Sequence, residues 1–238
     1  SINGNVALDV LSGTLVATTA FDLKLGQVKS AVLPTPAQDA DAMTLTLLGA
    51  NVFLGSGGSL LDNNGGTATP ADYSDDTVKN GTLGFRATAA KLTLVSLKDR
   101  GASAVLTTDD TTYLGIALDN FAGDLIGLED LLVFHAYGVD AGINSAKQNG
   151  AAATKLNWKT FATSSGLDIS SELTALNATS IGDLSAGVDL SINGNVALDV
   201  LSGTLVAKGS FKLELGTVTK AAKDYQIMIL TLGSSAFA

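Results

Sequence analysis

SINGNVALDVLSGTLVA, read from Ser1 to Ala17, returns without a single change from Ser191 to Ala207, an offset of 190 residues. Chance does not produce such a match. The likeness continues through Phe21, Leu23, Leu25, Gly26 and Val28 against Phe211, Leu213, Leu215, Gly216 and Val218. It resumes at Leu48-Gly49 and Phe53 against Leu232-Gly233 and Phe237, an offset of 184, so the first copy holds about six extra residues near Pro34 and Pro36. Residues 1–190 therefore read as one repeat unit of roughly 185–190 residues, its phase arbitrary, and residues 191–238 as the start of the next copy. The expectation is a piece of a longer array.

Where the copies differ, they differ with a period of two, Thr19/Gly209 being the one exception. Thr18/Lys208, Ala20/Ser210, Asp22/Lys212 and Lys24/Glu214 change, while Phe21, Leu23 and Leu25 are kept as Phe211, Leu213 and Leu215. Alternation of this kind is the mark of a strand with one apolar and one polar face. Val188, Leu190 and Ile192 alternate before Asn193-Gly194-Asn195, and Val196, Leu198 and Val200 alternate after it, so the Asn-Gly pair predicts a hairpin with a three-residue loop. Ser202-Gly203 predicts a two-residue turn next, pairing Val200 with Leu205 and Leu198 with Ala207. The resulting meander would have a core and assembly surface of Val188, Leu190, Ile192, Val196, Leu198, Val200, Leu205, Phe211, Leu213 and Leu215.

Further strands are expected over Met43–Leu54, Leu83–Leu97, Ala102–Leu106, Tyr113–Leu118, Leu131–Ile143 and Thr154–Trp158, separated by clusters such as Gly55-Ser-Gly-Gly-Ser59 and Asn149-Gly150. In the Leu131–Ile143 strand, Leu131, Val133, Tyr137, Val139 and Ile143 fall on one face and Leu132, Phe134 and Ala136 on the other, as for an interior strand. Ala141–Lys155 and Ser170–Ser180 could each hold a short helix, the second capped by Ser170 or Ser171. The fold class is all-β: an antiparallel, hairpin-rich meander built as a sandwich or as an elongated, solenoid-like stack, with at most one or two short helices.

Composition narrows the function. The chain has 238 residues, 46% of them hydrophobic, which is enough for a full-sized core. It has no cysteine, and 14 Lys+Arg stand against 23 Asp+Glu for a formal charge of -9, so neither a disulfide scaffold nor a nucleic-acid partner is expected. No apolar run is long enough for a membrane-spanning helix, and no leader with a basic and then an apolar region opens the chain.

Catalytic chemistry finds no foothold. His135 is the only histidine, no Gly-x-Ser-x-Gly elbow accompanies it, and neither a P-loop nor a Gly-x-Gly-x-x-Gly turn is present. No enzyme activity and no cofactor are expected. Asp62, Asn63, Asp72, Asp75, Asp76, Asp109, Asp110, Asp119 and Asp124 offer hard oxygen ligands of the sort calcium takes, although no EF-hand loop or nonapeptide calcium repeat organises them. Solvated turn residues are the plainer reading. Asn80-Gly-Thr82 and Asn177-Ala-Thr179 match the N-glycosylation pattern, and Trp158 with Tyr73, Tyr113, Tyr137 and Tyr225 could form a sugar platform or simply pack.

The near-identical repeat, the Gly/Thr/Asp-rich β-pattern, the acidity and the lack of cysteine together resemble the tandem-repeat regions of giant secreted bacterial surface proteins, adhesins and filament or matrix proteins among them. The resemblance implies export to the cell surface or beyond, further copies of the module in cis or in trans as partners, and a scaffolding or adhesive role carried by repetition. Strings such as Leu184–Leu198 and Gly127–Val139 also look like the β-grooves of envelope lipid-transfer proteins. That second likeness implies an apolar face open to acyl chains. The expected function is a structural repeat module joined by sheet continuation and apolar packing; the alternative is a β module that binds calcium, polysaccharide or lipid.

Overall fold

In a computed structural model that describes residues 1–33, 38–63, 75–101 and 108–233, the chain forms one large antiparallel sheet. Its long strands are β1 (Ile2–Val10), β2 (Leu15–Lys29), β3 (Asp39–Ser56), β6 (Leu83–Asp99), β7 (Thr111–Ile126), β8 (Leu132–Gln148), β11 (Val188–Val200), β12 (Leu205–Lys220) and β13 (Lys223–Gly233). They lie side by side in that order, a pure meander. Short strands β9 (Ala151–Ala152) and β10 (Ser165–Gly166) pair β8 and β2, and β4 (Ser59–Leu61) with β5 (Thr77–Lys79) makes a separate ribbon. The expected all-β meander is therefore what forms. The expected strand over Ala102–Leu106 lies outside the described residues.

The repeat is repeated in structure. β1 and β2 pair as β11 and β12 do, with Ile2 opposite Leu23 as Ile192 is opposite Leu213. Each pair is joined through a four-residue turn whose first three residues, Leu11-Ser12-Gly13 or Leu201-Ser202-Gly203, have positive φ. In both turns an aspartate two residues upstream of Leu accepts the glycine amide, Asp9 from Gly13 at 2.8 Å and Asp199 from Gly203 at 2.6 Å. Val200 pairs Leu205 and Leu198 pairs Ala207, as the Ser202-Gly203 turn predicts. The second copy then turns through Ala221-Ala222, both at positive φ, where the first copy spends residues 30–38 between β2 and β3. Leu230 faces Leu213 as Leu45 faces Leu23, so Leu232 stands at the place of Leu47, one residue from where sequence matching puts it.

Asn193-Gly194-Asn195 is not a turn. It runs through the middle of β11, with Asn193 opposite Lys212 and Asn195 opposite Ser210. The physical reason lies in its neighbours: Asn193 donates its side-chain amide to the Ser180 carbonyl, and Asn195 reaches the Tyr137 carbonyl at 3.4 Å. Tertiary partners thus satisfy side chains that would otherwise favour a turn. The expected helix over Ala141–Lys155 is also absent, since residues through Gln148 belong to β8. Residues Thr154–Trp158 form no strand. Their backbone is held instead by a different layer.

That layer is the crossing segment, residues 153–187, which leaves β8, crosses the sheet to β2 and returns to β11. Its outward end is tied to β2 by the amides of Ser164 and Leu167, which donate to Lys29 and Gln27 carbonyls at 2.7 Å each. Its return path carries α1 (Ser170–Leu176) and a 3-10 turn, Thr179–Ile181, fitting the short helix expected near Ser170; the N-cap is Ile169, with no side-chain cap bond. Trp158, Ile169, Leu176, Ile181 and Leu184 are fully buried against Val28, Val95 and Leu97 of the sheet. A sandwich of two large sheets is not formed by the described residues; the second layer is this irregular segment.

The sheet has an inverted division of labour between its faces. Under the crossing segment the buried sheet positions are mostly small: Ala42, Thr44, Thr93, Gly115, Ala117, Gly142, Asn144 and Ala146. A Cβ on Gly115 would come within 2.8 Å of Trp158 and Leu176, and one on Gly142 within 2.7 Å of Leu184. The cover sits so close that only small residues fit beneath it. Large aliphatics occupy the opposite face. Register shifts in β7 against β8 and in β8 against β11, near Asn120 and Gly138 at positive φ, carry Ile143 onto the face of Phe134 and Ala136, away from Val133 and Tyr137.

Candidate functional site

The oxygen-rich residues do not gather into one site. Asp62, Asp75 and Asp76 bring carboxylate oxygens within 4.8 Å of one another beside the β4–β5 ribbon, and the Asn63 amide donates to the Asp75 carbonyl at 2.8 Å. Asp72 lies outside the described residues. Asp110 instead pairs Lys98 at 2.8 Å near the end of β7, with Asp109 beside it. Asp119, on β7, meets Asp140 of β8; burial and the neighbouring Asp140 carboxylate raise its pKa above the ordinary aspartate value.

His135 meets Asp124 across β7 and β8, Nδ1 to Oδ1 at 2.5 Å, and Arg86 approaches the other Asp124 oxygen at 3.8 Å. No hydroxyl nucleophile is hydrogen-bonded to this histidine among the described residues. The group forms a cross-strand polar row on β6, β7 and β8.

Where the crossing segment grips the sheet, polar groups are buried and used. Asn144 donates to the carbonyls of Leu156 and Ser185 at 2.8 and 2.9 Å and accepts from Trp158 Nε1 at 2.9 Å. Lys24 pairs Glu172 of α1 at 2.7 Å. Burial pushes the Glu172 carboxyl up, but hydrogen bonds from Lys24 and Ser171 outweigh it and hold the pKa below the ordinary value. Lys155 pairs Asp189 at the start of β11. These contacts are architectural, joining the segment to β2, to β8 and to the start of β11.

Of the residues expected to form the core and assembly surface, all but Val188 lie on one face of the sheet. Ile2, Leu23, Leu45, Leu94, Ile116, Ile143, Leu190, Leu215 and Met228 stand opposite one another from strand to strand, one aliphatic residue on each long strand. None of them is buried. Ile192, Val196, Leu198, Val200 and Leu205 extend the same face, half-buried or exposed, with Phe211 and Leu213. The face covered within the chain is the other one. Val188 alone of the set packs against the core under the crossing segment.

Among the described residues both lateral edges of the sheet are open: β1 pairs only β2, and β13 pairs only β12. Val16 and Val28 are 0% exposed, whereas their second-copy counterparts Val206 and Val218 are 67% and 47% exposed. The chain exposes 13157 Å², against about 10,000 Å² for a compact protein of 24.0 kDa. No helix among the described residues is long and apolar enough to cross a membrane. Set against known protein families, curated proteins and solved structures, the chain matches none of them.

Proposed function

We propose that the chain is a structural module of a tandem-repeat array, an extracellular filament, matrix or adhesin-like surface protein of bacterial type, in which successive units extend one sheet. It works by repetition, without an active site. One observation carries this reading: β11, whose sequence from Ser191 onward is that of β1, continues the sheet by pairing β8 in the same molecule. The aliphatic face then runs unbroken from one unit into the next and supplies apolar packing between arrays. Six strand-to-strand steps lead from β1 to β11, so at about 4.8 Å per step one unit advances the array by about 29 Å. Electron microscopy of the native material tests this: fibres or sheets with an axial repeat near that value are expected, and discrete particles would overturn it.

A second reading, acyl-chain binding, draws on that same aliphatic face, which no element of the described chain covers. Organic extraction of the purified native protein followed by mass spectrometry decides it: stoichiometric lipid would favour the groove, and lipid-free protein would exclude it.

A further inference from the structure

We infer that the open edge of β1 receives the β8-like strand of a preceding unit in the register that β11 makes with β8. This rests on the array reading and specifies its junction. In that register Ile2 would face the preceding unit's counterpart of Ala141, Val6 that of Ala136, Leu8 that of Phe134 and Val10 that of Leu132, as Ile192, Val196, Leu198 and Val200 do here.

The composition of β1 makes sense only with such a neighbour. A Cβ on Gly194 would stand 2.7 Å from Val139 Cγ2 and 2.9 Å from its Cα, so glycine is required beside β8. Its twin Gly4 meets nothing nearer than Phe21 at 3.4 Å, and no contact within the chain demands glycine there. Asn193 and Asn195 bond to Ser180 and Tyr137 carbonyls, whereas Asn3 and Asn5 are exposed and form no side-chain hydrogen bond with the described residues. An Asn-Gly-Asn run fitted to a β8 edge is thus present twice and engaged once.

The junction also sets a shear. The row that begins at Ile2 arrives in β11 at Leu190, two residues short of Ile192, the counterpart of Ile2. Each unit is therefore displaced along the strand direction by two residues, about 7 Å.

Because the chain has no cysteine, disulfide trapping reads the register directly. A synthetic peptide of residues 130–150 carrying Ala136→Cys is mixed with the full chain carrying Val6→Cys. Mixed disulfide is expected at least tenfold faster than with a His135→Cys peptide, whose thiol points to the opposite sheet face, and Gly4→Val should abolish the reaction while leaving the chain's melting unchanged. In the native assembly, β1 amides should exchange as slowly as those of β11. Equal trapping at both peptide positions, or free exchange of β1 in a native assembly that does show the axial repeat, overturns this junction while leaving the array reading standing. Cross-linking of Val6→Cys to Ala136→Cys between full chains would assign the edge to a second copy and overturn it too. Peptide trapping in native material made of discrete particles would uphold the edge and sink the array.

Discussion

Trp158 donates its indole N–H to Asn144 Oδ1 at 2.9 Å, and both residues are buried where the crossing segment lies on β8. Asn144 is the single side chain that also satisfies two carbonyls of that segment, Leu156 and Ser185. Asn144→Ala removes the hydrogen-bond partner of all three groups, two of them, the Leu156 carbonyl and the Trp158 indole, in buried residues. It should cost about 3 kcal/mol, with Trp158→Phe, which orphans one acceptor, costing about half as much. Urea unfolding of the two variants measures this, and equal stabilities would show that water replaces the lost partners.

Close approach between the two layers gives a second expectation. Gly115→Val introduces a branched side chain where even a Cβ comes within 2.8 Å of Trp158 and Leu176. The segment must lift, and a loss of about 2–3 kcal/mol follows. Ala90→Val on exposed β6 should leave the melting temperature unchanged. Trp158 fluorescence should shift to the red in Gly115→Val and stay put in Ala90→Val.

How much of this was legible beforehand varies with the kind of interaction. The strands over Leu83–Leu97 and Met43–Leu54 follow from period-two alternation, which is a local property of the chain. Which face is covered is not local: Leu45 and Leu94 look like core, yet the cover packs on Thr44, Thr93 and Val95. Only the size of the covering residues explains the choice, because Trp158, Leu176 and Leu184 fill the space that large sheet side chains would take. The crossing segment shows no 3.6-residue stripe because much of its backbone bonds to the sheet and to Asn144. Asn193-Gly194-Asn195 reads as a turn for the same reason reversed: its partners Ser180 and Tyr137 are far away in sequence. The carboxylates of Asp62, Asp75 and Asp76 converge from separate stretches of sequence, which no spacing rule predicts.

The Lys24–Glu172 pair makes the grip of α1 on β2 depend on pH. Glu172 has a pKa below its ordinary 4.5, so its contribution is complete above that value and fades as the pH falls through the lowered one. Lys24, bonded to Glu172, has a pKa above its ordinary 10.5, so its contribution holds below that value and fades as the pH rises through the raised one. The pair therefore supports the fold across the neutral range and fails at both extremes. Lys24→Met, which leaves Glu172 buried without its partner, should cost about 3 kcal/mol at pH 7, and Lys24→Met with Glu172→Leu should recover most of it. Thermal melts of the two variants from pH 3 to 11 test this; a pH profile identical to that of the parent chain in both would remove the pair from the account.

Asp119 and Asp140 work in the opposite sense. The raised pKa of Asp119 comes from partial desolvation and from the Asp140 carboxylate beside it, so ionised Asp119 strains the fold at neutral pH and the strain is relieved as acid protonates Asp119. Asp119→Asn should raise the melting temperature at pH 7, and the gain should shrink toward pH 4. A variant less stable than the parent at pH 7 would mean that Lys91, the nearby cation, dominates the site.

Phe211 separates packing within a unit from packing between arrays. It sits on the open face, opposite Gly194 and Leu232, and is half-buried, whereas Leu97 on the covered face is 0% exposed. Leu97→Asp should unfold the chain by burying an unpaired charge. Phe211→Asp leaves its carboxylate in water and should cost the isolated chain no more than about 1 kcal/mol. Its consequence falls on the aliphatic row, where a charge would meet an apolar surface in any face-to-face assembly. Leu45→Lys, in the middle of the row, should act alike. Sedimentation of concentrated protein is the measurement: both open-face variants should stay smaller than the parent chain at equal concentration, with melting temperatures close to it. If they associate as the parent does, the aliphatic face takes no part in assembly, and the open edges of β1 and β13 carry it alone.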